Sequence, residues 1–185
     1  VGTMPSDRDI ADVLKARFGH DRFLPLQEEV IANVLAGGDS LVLMPTGGGK
    51  SLCYQLPALC LDGLTLVVSP LIALMKDQVD GLKANGLAAD FINSALPQTE
   101  VRRVQTEALA RRLKILYVTP ERLALQGFRA FLDRLEVSLI AVDEAHCISE
   151  WGHDFRPDYR NLKALRRLLP DAPVIALTAT ATRRV

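Results

Sequence analysis

The stretch Ser40-Leu-Val-Leu-Met44-Pro-Thr-Gly-Gly-Gly-Lys50-Ser51 decides the fold. A short apolar run is followed by a glycine-rich turn, and residues 50–61 continue in a helical pattern. Small residues let backbone N–H groups surround phosphates, and a helix N-terminus adds partial positive charge. Lys50 can reach the β- and γ-phosphates, and Ser51 can ligate Mg²⁺. We therefore interpret this stretch as a phosphate-binding loop rather than as a plain flexible turn.

A second stretch with side chains suited to catalysis is residues 139–146, Leu-Ile-Ala-Val-Asp-Glu-Ala-His. An apolar strand ends here in two carboxylates. In a phosphate-loop enzyme Asp143 would hold Mg²⁺, and Glu144 can polarise the attacking water as a general base. His146 could hydrogen-bond to a phosphate-sensing segment. Adjacent Asp and Glu alone would indicate only the start of a helix, but together with Lys50 upstream they indicate ATP hydrolysis.

Outside these stretches, short apolar runs alternate with longer helical patterns. The remaining predicted strands are Leu64–Val68, Ala88–Ile92, Lys114–Val118 and Pro173–Leu177, beside Ser40–Met44 and Val137–Val142. The predicted helices are Asp7–Arg17, Leu26–Leu35, Lys50–Leu61, Leu71–Ala84, Pro97–Arg112 and Asp158–Leu169, with one or two short helices over residues 120–134 interrupted at Gly127. Continuously apolar strands alternating with helices predict an α/β fold, a central parallel sheet with helices on both faces.

Composition limits the class of protein. The chain has 185 residues, of which 49% are hydrophobic and 24% charged, as expected of one soluble globular domain. Its formal net charge is zero, but residues 1–92 carry −4 and residues 93–185 carry +4. A polyanion is therefore expected along the second half. The three cysteines lack CxxC spacing, which argues against a zinc site or disulfide framework and for a reducing compartment. No apolar run approaches the roughly 20 residues of a membrane span.

Weaker signals surround the two stretches. Three of the chain's ten aromatic residues fall between Trp151 and Tyr159, and aromatic faces can stack on unpaired bases; a small satellite core is the alternative. The hydroxyls of Thr178 and Thr180 could link the nucleotide to a bound strand, or they could be ordinary polar residues at a strand end. The amide of Gln27 has the donor and acceptor needed to recognise an adenine edge.

Taken together, these residues resemble the RecQ family of DNA helicases, within superfamily 2, from about Ile10 to Thr182. The most specific stretch is residues 143–159, Asp-Glu-Ala-His-Cys-Ile-Ser-Glu-Trp-Gly-His-Asp-Phe-Arg-Pro-Asp-Tyr, which looks like the family's DEAH motif running into its aromatic-rich loop. The other similar stretches are Met44–Ser51 (motif I), Val67–Val79 (motif Ia), Thr119–Leu123 (a further DNA-facing motif), Leu177–Ala181 (motif III) and Phe18–Gln27 (motif 0).

The resemblance implies a first RecA-like domain, a P-loop NTPase fold in which the strand of motif III lies between those of motifs I and II. The catalytic residues it implies are Lys50, Asp143, Glu144 and His146, with Ser51 and Asp143 on Mg²⁺. The implied ATP-binding residues are His20, Gln27, Thr46, Gly47, Gly48, Gly49, Lys50 and Ser51. The residues implied to contact DNA or couple it to ATP are Ser69, Lys76, Thr119, Arg122, Trp151, His153, Phe155, Arg156, Thr178 and Thr180. Family members unwind duplex DNA in the 3′-to-5′ direction, so ATP, Mg²⁺ and single-stranded, duplex or branched DNA are the implied ligands.

The chain departs from the family in motif 0. It has Phe23-Leu24-Pro25-Leu26-Gln27 where the family usually has Phe-Arg-Pro-Gly-Gln, so Leu24 supplies no guanidinium near the nucleotide. We expect residues 1–5 to be a tag remnant and disordered start, and residues 6–185 to form the first RecA-like domain alone. The second RecA-like domain with its arginine finger, and the zinc-binding and winged-helix regions, are expected outside this chain.

Other functions share part of this pattern. A DEAH-type RNA helicase has motifs I to III, but the aromatic loop from Trp151 to Arg156 is not expected of it. A nucleotide kinase needs an arginine-rich lid and lacks an Asp-Glu-Ala-His strand end. Intact Lys50, Asp143 and Glu144 argue against a binding module without activity. A helicase of this kind is expected in the bacterial cytoplasm at the nucleoid, or in the nucleus of a eukaryote.

Overall fold

A computed structural model describes residues 7–44, 49–144 and 166–179. Within them, six strands form one parallel sheet in the order β1-β6-β5-β2-β4-β3. The strands are β1 Ser40–Met44, β2 Leu64–Val68, β3 Ala89–Ile92, β4 Ile115–Val118, β5 Val137–Val142 and β6 Val174–Ala179. Three of these match the predicted bounds and the others differ by one or two residues. The α/β fold class is thereby confirmed.

The helices connect the strands as the sequence predicts. They are α1 Asp7–Val13, α2 Gln27–Leu35, α3 Leu52–Cys60, α4 Ile72–Ala84, α5 Gln98–Leu109 and α6 Gln126–Asp133, with a π-helical turn Leu14–Phe18 and a 3₁₀ turn Pro120–Ala124. Residues 166–168 are helical and Leu169 is already a bend, one residue before the predicted end, while residues 158–165 of the helix predicted over Asp158–Leu169 lie outside the described residues. No helix in the described part of the chain is both long and apolar enough to cross a bilayer.

One predicted interruption is wrong. Gly127 lies inside α6, which begins at Gln126, and the break between the two short helices falls at Leu125 instead. Leu125 has an extended backbone with φ −78° and ψ 123°. The aromatic pair Phe128 and Phe131 packs at 5.5 Å between ring centroids and is buried in the core. Burial of these rings outweighs the cost of about 1 kcal/mol that a glycine imposes on a helix.

The sheet separates two layers of helices. Side chains of α2, α3 and α4 pack on one face, and those of α5 and α6 on the other. Side chains along a strand alternate between faces, so Val67 of β2 joins the first layer while Leu66 and Val68 join the second. All five residues of β2 are buried, as expected of an interior parallel strand.

The strand order confirms one implication of the resemblance. Strand β6 lies between β1 and β5, and it pairs with both in parallel. Because parallel strands end at the same edge of a sheet, the segments that follow β1, β5 and β6 emerge together. Gly49 and Lys50, which follow β1 in the chain, and the carboxylates after β5 therefore lie on one edge, the carboxyl edge.

Leu26 adopts a backbone conformation that favours glycine. Its φ is +72°, it directly precedes α2, and its side chain is 59% exposed. Within the described residues only Leu26, Arg111 and Glu144 combine a side chain with positive φ. A left-handed backbone costs an L-residue about 1–2 kcal/mol. Leu26 holds the position at which motif 0 of the family has glycine. The backbone at this position still has the left-handed conformation that favours glycine.

We predict that Leu26→Gly raises the free energy of unfolding by about 0.5–1 kcal/mol. Relief of the left-handed strain outweighs the greater freedom that glycine gives the unfolded chain. Urea unfolding followed by circular dichroism measures the change. Leu24→Gly is the matched control, because Leu24 is similarly exposed but has no positive φ; it should lower stability. A loss of stability in Leu26→Gly would contradict the claim that the left-handed backbone at Leu26 is strained.

Candidate active site at the carboxyl edge of the sheet

The two stretches that the sequence paired meet at the carboxyl edge. The Nζ atom of Lys50 lies 3.2 Å from Oε1 of Glu144, although 94 residues separate them. The side chains are only 12% and 20% exposed. An ion pair shielded from water in this way interacts more strongly than one at the open surface. The lysine of the glycine-rich loop is thus already held against the carboxylate predicted to act as general base.

The two carboxylates after β5 differ in environment. Asp143 is buried, and its Oδ1 accepts a hydrogen bond of 2.9 Å from the backbone N–H of Glu144. Glu144 has a left-handed backbone with φ +53°. Such strain is tolerated where the surrounding structure enforces it, and it is concentrated at functional sites. Here the strained turn directs Asp143 into the core and Glu144 towards Lys50.

The residues at this edge suit a magnesium ion held mainly by a nucleotide. Asp143 offers a buried carboxylate, and Ser51 directly precedes α3. No group of three or more histidine, cysteine, aspartate or glutamate side chains that could hold a metal occurs in the described residues. Mg²⁺ takes few protein ligands and completes its shell with phosphate oxygens and water. The donor set therefore fits Mg²⁺ that is held largely by a bound triphosphate.

A cavity of about 310 Å³ opens beside the glycine-rich loop. The segment before α2 forms one wall, and the loop with the first turn of α3 forms the other. Six of its lining side chains are Phe18, His20, Arg22, Gln27, Leu52 and Gln55. Apolar walls with a few polar groups are typical of small-molecule sites. The structure thus places His20 and Gln27, both predicted to contact adenine, in one cavity that adjoins Gly49 and Ser51.

Gln27 is held more tightly than its sequence signal suggested. Its side chain is buried, Nε2 donates to the carbonyl of Gly49 at 3.0 Å, and Oε1 accepts from the backbone N–H of Leu24 at 2.7 Å. Both functional groups of the amide are therefore used within the chain. Gln27 joins motif 0 to the phosphate-binding loop through one amide hydrogen and one oxygen lone pair, which leaves the second of each for an adenine base.

The residues predicted to contact DNA fall into two groups. Ser69, Thr119 and Thr178 are buried. The hydroxyl of Ser69 accepts a hydrogen bond of 3.3 Å from the N–H of Leu71 at the start of α4. Lys76 is exposed and pairs with Asp80 at 2.7 Å, and Arg122 donates to the carbonyl of Asn93 at 3.0 Å. Arg122 is partly buried, so Lys76 is the more accessible of these two cations.

Several predicted site residues lie outside the described residues. They are Thr46, Gly47 and Gly48 of the glycine-rich loop, His146, the aromatic-loop residues Trp151, His153, Phe155 and Arg156, and Thr180. Their proposed roles stay predictions from the sequence.

The sequence analysis missed three polar residues near the site. Gln55 lines the cavity one helical turn after Ser51, a spacing of four residues that could have identified it. Tyr54 and Tyr117 are fully buried beneath the site, and their hydroxyl oxygens lie 2.9 Å apart. Burial raises the pKa of both phenols, and the nearby charge of Asp143 adds to the shift. Both phenols therefore stay protonated at neutral pH.

Comparisons with known proteins agree with this geometry. Residues 24–185 match the family model of the DEAD/DEAH box helicases. The chain is 55% identical over 178 residues to the ATP-dependent DNA helicase RecQ of Pasteurella multocida, covering 96% of this chain and 28% of that protein. It is 48% identical over 190 residues to the ATP-dependent DNA helicase Q1 of Pongo abelii, covering 98% and 29%. The chain thus spans less than a third of the length of these relatives, and the resemblance to RecQ helicases is confirmed.

Solved structures share the fold at lower identity. The DNA-bound helicase MrfA superposes with a TM-score of 0.76 at 20% identity, over 98% of this chain and 28% of that one. The Mycobacterium smegmatis helicase Lhr, bound to single-stranded DNA and AMP-PNP, gives a TM-score of 0.72 at 24% identity, over 89% and 24%. At these identities the likeness establishes the arrangement of strands and helices.

Two glycine substitutions test the contact between motif 0 and the loop. Gly49 has φ +77°, and a methyl group there would collide with the amide nitrogen of Gln27. We predict that Gly49→Ala lowers the free energy of unfolding by at least about 1–2 kcal/mol. Gly81→Ala is the control, since Gly81 lies in α4 with open space around it, and should raise stability by about 0.5–1 kcal/mol. Equal changes in the free energy of unfolding for Gly49→Ala and Gly81→Ala, measured in urea, would contradict a tight contact between Gly49 and Gln27.

Proposed function

Because this chain belongs to the DEAD/DEAH box helicase family, we propose that it is the ATP-binding motor domain of a RecQ-like DNA helicase. In this proposal, hydrolysis of Mg·ATP drives 3′-to-5′ translocation on single-stranded DNA and the unwinding of duplexes. The observation that carries the proposal is the shielded contact between Lys50 and Glu144 at the carboxyl edge. It unites the phosphate-binding and the hydrolytic group next to a cavity of about 310 Å³.

Each residue has a distinct task in this proposal. The ammonium group of Lys50 leaves Glu144 and binds the β- and γ-phosphates. The Glu144 carboxylate is then released to accept a proton from the attacking water. Ser51 and Asp143 would hold Mg²⁺, which supplies positive charge against the phosphate oxygens when it is bound. The ion pair observed between Lys50 and Glu144 thus keeps both groups in place until a triphosphate arrives.

Adenine recognition is assigned to the cavity between motif 0 and α3. Gln27 has a donor and an acceptor matched to the adenine edge, and His20 lies in the same wall. The bonds of Gln27 to Leu24 and Gly49 use one amide hydrogen and one oxygen lone pair. A base that engages the other hydrogen and lone pair would therefore bind an amide that is already held in place against the phosphate-binding loop.

The partners are proposed from the relatives. The relatives are named as DNA helicases, and two structural neighbours are described as bound to DNA. We assign DNA contact in this chain to the exposed Lys76 and the partly buried Arg122, together with the aromatic segment around Trp151. A second RecA-like domain of the same protein would supply the arginine finger. The site of action would be the bacterial cytoplasm at the nucleoid, or the nucleus of a eukaryote.

Equilibrium binding of ATP and GTP, each with Mg²⁺, tests the site. We predict that ATP binds at least about tenfold more tightly than GTP, because a buried hydrogen-bonding group rejects a mismatched edge. Gln27→Ala should abolish this preference. Lys50→Ala should weaken both nucleotides alike, because Lys50 contacts only phosphates. No binding by the unmodified chain, or unchanged affinity in Lys50→Ala, would contradict the proposal.

A second prediction concerns turnover by the 185-residue chain alone. An arginine finger accelerates related phosphoryl transfers by about 10³–10⁵-fold, so we predict slow ATP hydrolysis and no strand separation. A coupled ATPase assay and a fluorescent duplex-unwinding assay measure these activities. Unwinding at stoichiometric concentration would overturn the assignment of the finger to another domain. Preferential binding to single-stranded RNA over DNA of the same sequence would favour an RNA helicase instead.

A further inference from the structure

A buried pair of tyrosines lies beneath the candidate active site and has no task in the proposed function. Tyr54 on α3 and Tyr117 on β4 are both fully buried. Their hydroxyl oxygens lie 2.9 Å apart, and their rings meet edge to face with centroids 6.4 Å apart. Placing two hydroxyls in a core is costly unless each finds hydrogen-bond partners. The pair therefore calls for a physical explanation.

The pair has one phenolic hydrogen more than the bond between its two hydroxyls uses. The Nε2 atom of Gln55 donates to the Tyr117 hydroxyl at 3.4 Å. Each phenol has one hydrogen to donate, and the bond between the two phenols uses only one of them. The second phenolic hydrogen must be directed elsewhere. A charged acceptor makes the strongest partner for such a hydrogen.

Asp143 is a charged acceptor on the same face of the sheet as Tyr117. Tyr117 of β4 is in register with Val67 of β2, which is in register with Ala141 of β5. Asp143 follows Ala141 by two residues, so its side chain leaves the sheet on the same face, one step nearer the carboxyl edge. Its carboxylate is close enough that its negative charge raises the pKa of both phenols, after the larger effect of burial. Two protonated phenols and one buried carboxylate thus lie on the same side of the sheet.

We propose that Tyr54 and Tyr117 are positioning residues for Asp143, which orient its carboxylate for the metal that accompanies the nucleotide. This inference rests on the proposed function, because the metal is the one that Mg·ATP brings. Ligating carboxylates are commonly held by hydrogen bonds from residues behind them, and loss of those bonds weakens metal binding about 10–100-fold.

The same pair connects Asp143 to two other parts of the site. Gln55 lines the base cavity and bonds to Tyr117. Tyr117 stands near the end of β4, two residues before Thr119, which opens the segment predicted to face DNA. A shift of β4 or of Gln55 would therefore reach the metal-holding carboxylate through two hydroxyl groups.

The test is the double variant Tyr54→Phe with Tyr117→Phe. It keeps both rings and removes both hydroxyls together, so no phenol is left without its partner and the fold should persist. Binding of Mn²⁺ in the presence of saturating ADP, followed by electron paramagnetic resonance, reports on the metal site. Binding of ADP in EDTA, without metal, reports on the rest of the nucleotide site. We expect Mn²⁺ affinity to fall about tenfold or more and metal-free ADP affinity to stay within twofold.

Thr65→Val is the matched control. It also removes one buried hydroxyl from the same face of the sheet, but the oxygen of Thr65 has no hydrogen-bond partner. Thr65 pairs with Leu139, four residues before Asp143, which is about 13 Å along the strand. This variant should bind Mn²⁺ as the unmodified chain does. If the double variant is poorly folded, Tyr54→Phe alone carries the same expectation.

The outcomes separate the two proposals. Unchanged Mn²⁺ affinity in the double variant would overturn the positioning role while leaving ATP binding intact. An equal loss of metal-free ADP binding, or an equal loss in Thr65→Val, would also overturn it, since the effect would then be general loosening of the core. Failure of the unmodified chain to bind ADP and Mn²⁺ would overturn the proposed function and this inference together.

Discussion

The parallel pairing of β1, β6 and β5 is the constraint on which the site depends. It directs the ends of β1 and β5 to the same edge, separated by the width of β6, so that the two strands lie about 9.6 Å apart. The long side chain of Lys50 bridges the segments that follow these strands and meets Glu144. An antiparallel or reordered sheet would place the phosphate-binding and hydrolytic groups at opposite ends or too far apart.

Backbone strain is concentrated where this edge has to present functional groups. Two of the three side-chain-bearing residues with positive φ in the described ranges, Leu26 and Glu144, adjoin the cavity or the ion pair. At Glu144 the strained turn has a clear result, since it separates the environments of two adjacent carboxylates. At Leu26 the side chain is exposed, and the strain serves only to begin α2.

Much of this architecture was predictable because apolar runs and glycine-rich turns are local signals. The strands and the convergence of Lys50 with Glu144 followed from them, whereas the strand order around motif III followed from the resemblance to the family. The break expected at Gly127 failed because core packing of α6 outweighs a glycine's helix propensity. The brace from Gln27 to Gly49 and the pair of Tyr54 and Tyr117 join residues 22 and 63 positions apart. Such contacts depend on how the helices pack against the sheet, and no local sequence pattern specifies that packing.

The central claim is that Lys50 exchanges a protein carboxylate for nucleotide phosphates at this edge. A crystal structure of the chain with Mg²⁺ and a non-hydrolysable ATP analogue tests it most directly. The account predicts that Nζ of Lys50 leaves Glu144 for the β- and γ-phosphates, with the metal on Ser51 and Asp143 and the adenine in the cavity beside Gln27. A nucleotide bound elsewhere, with Lys50 still paired to Glu144, would contradict it.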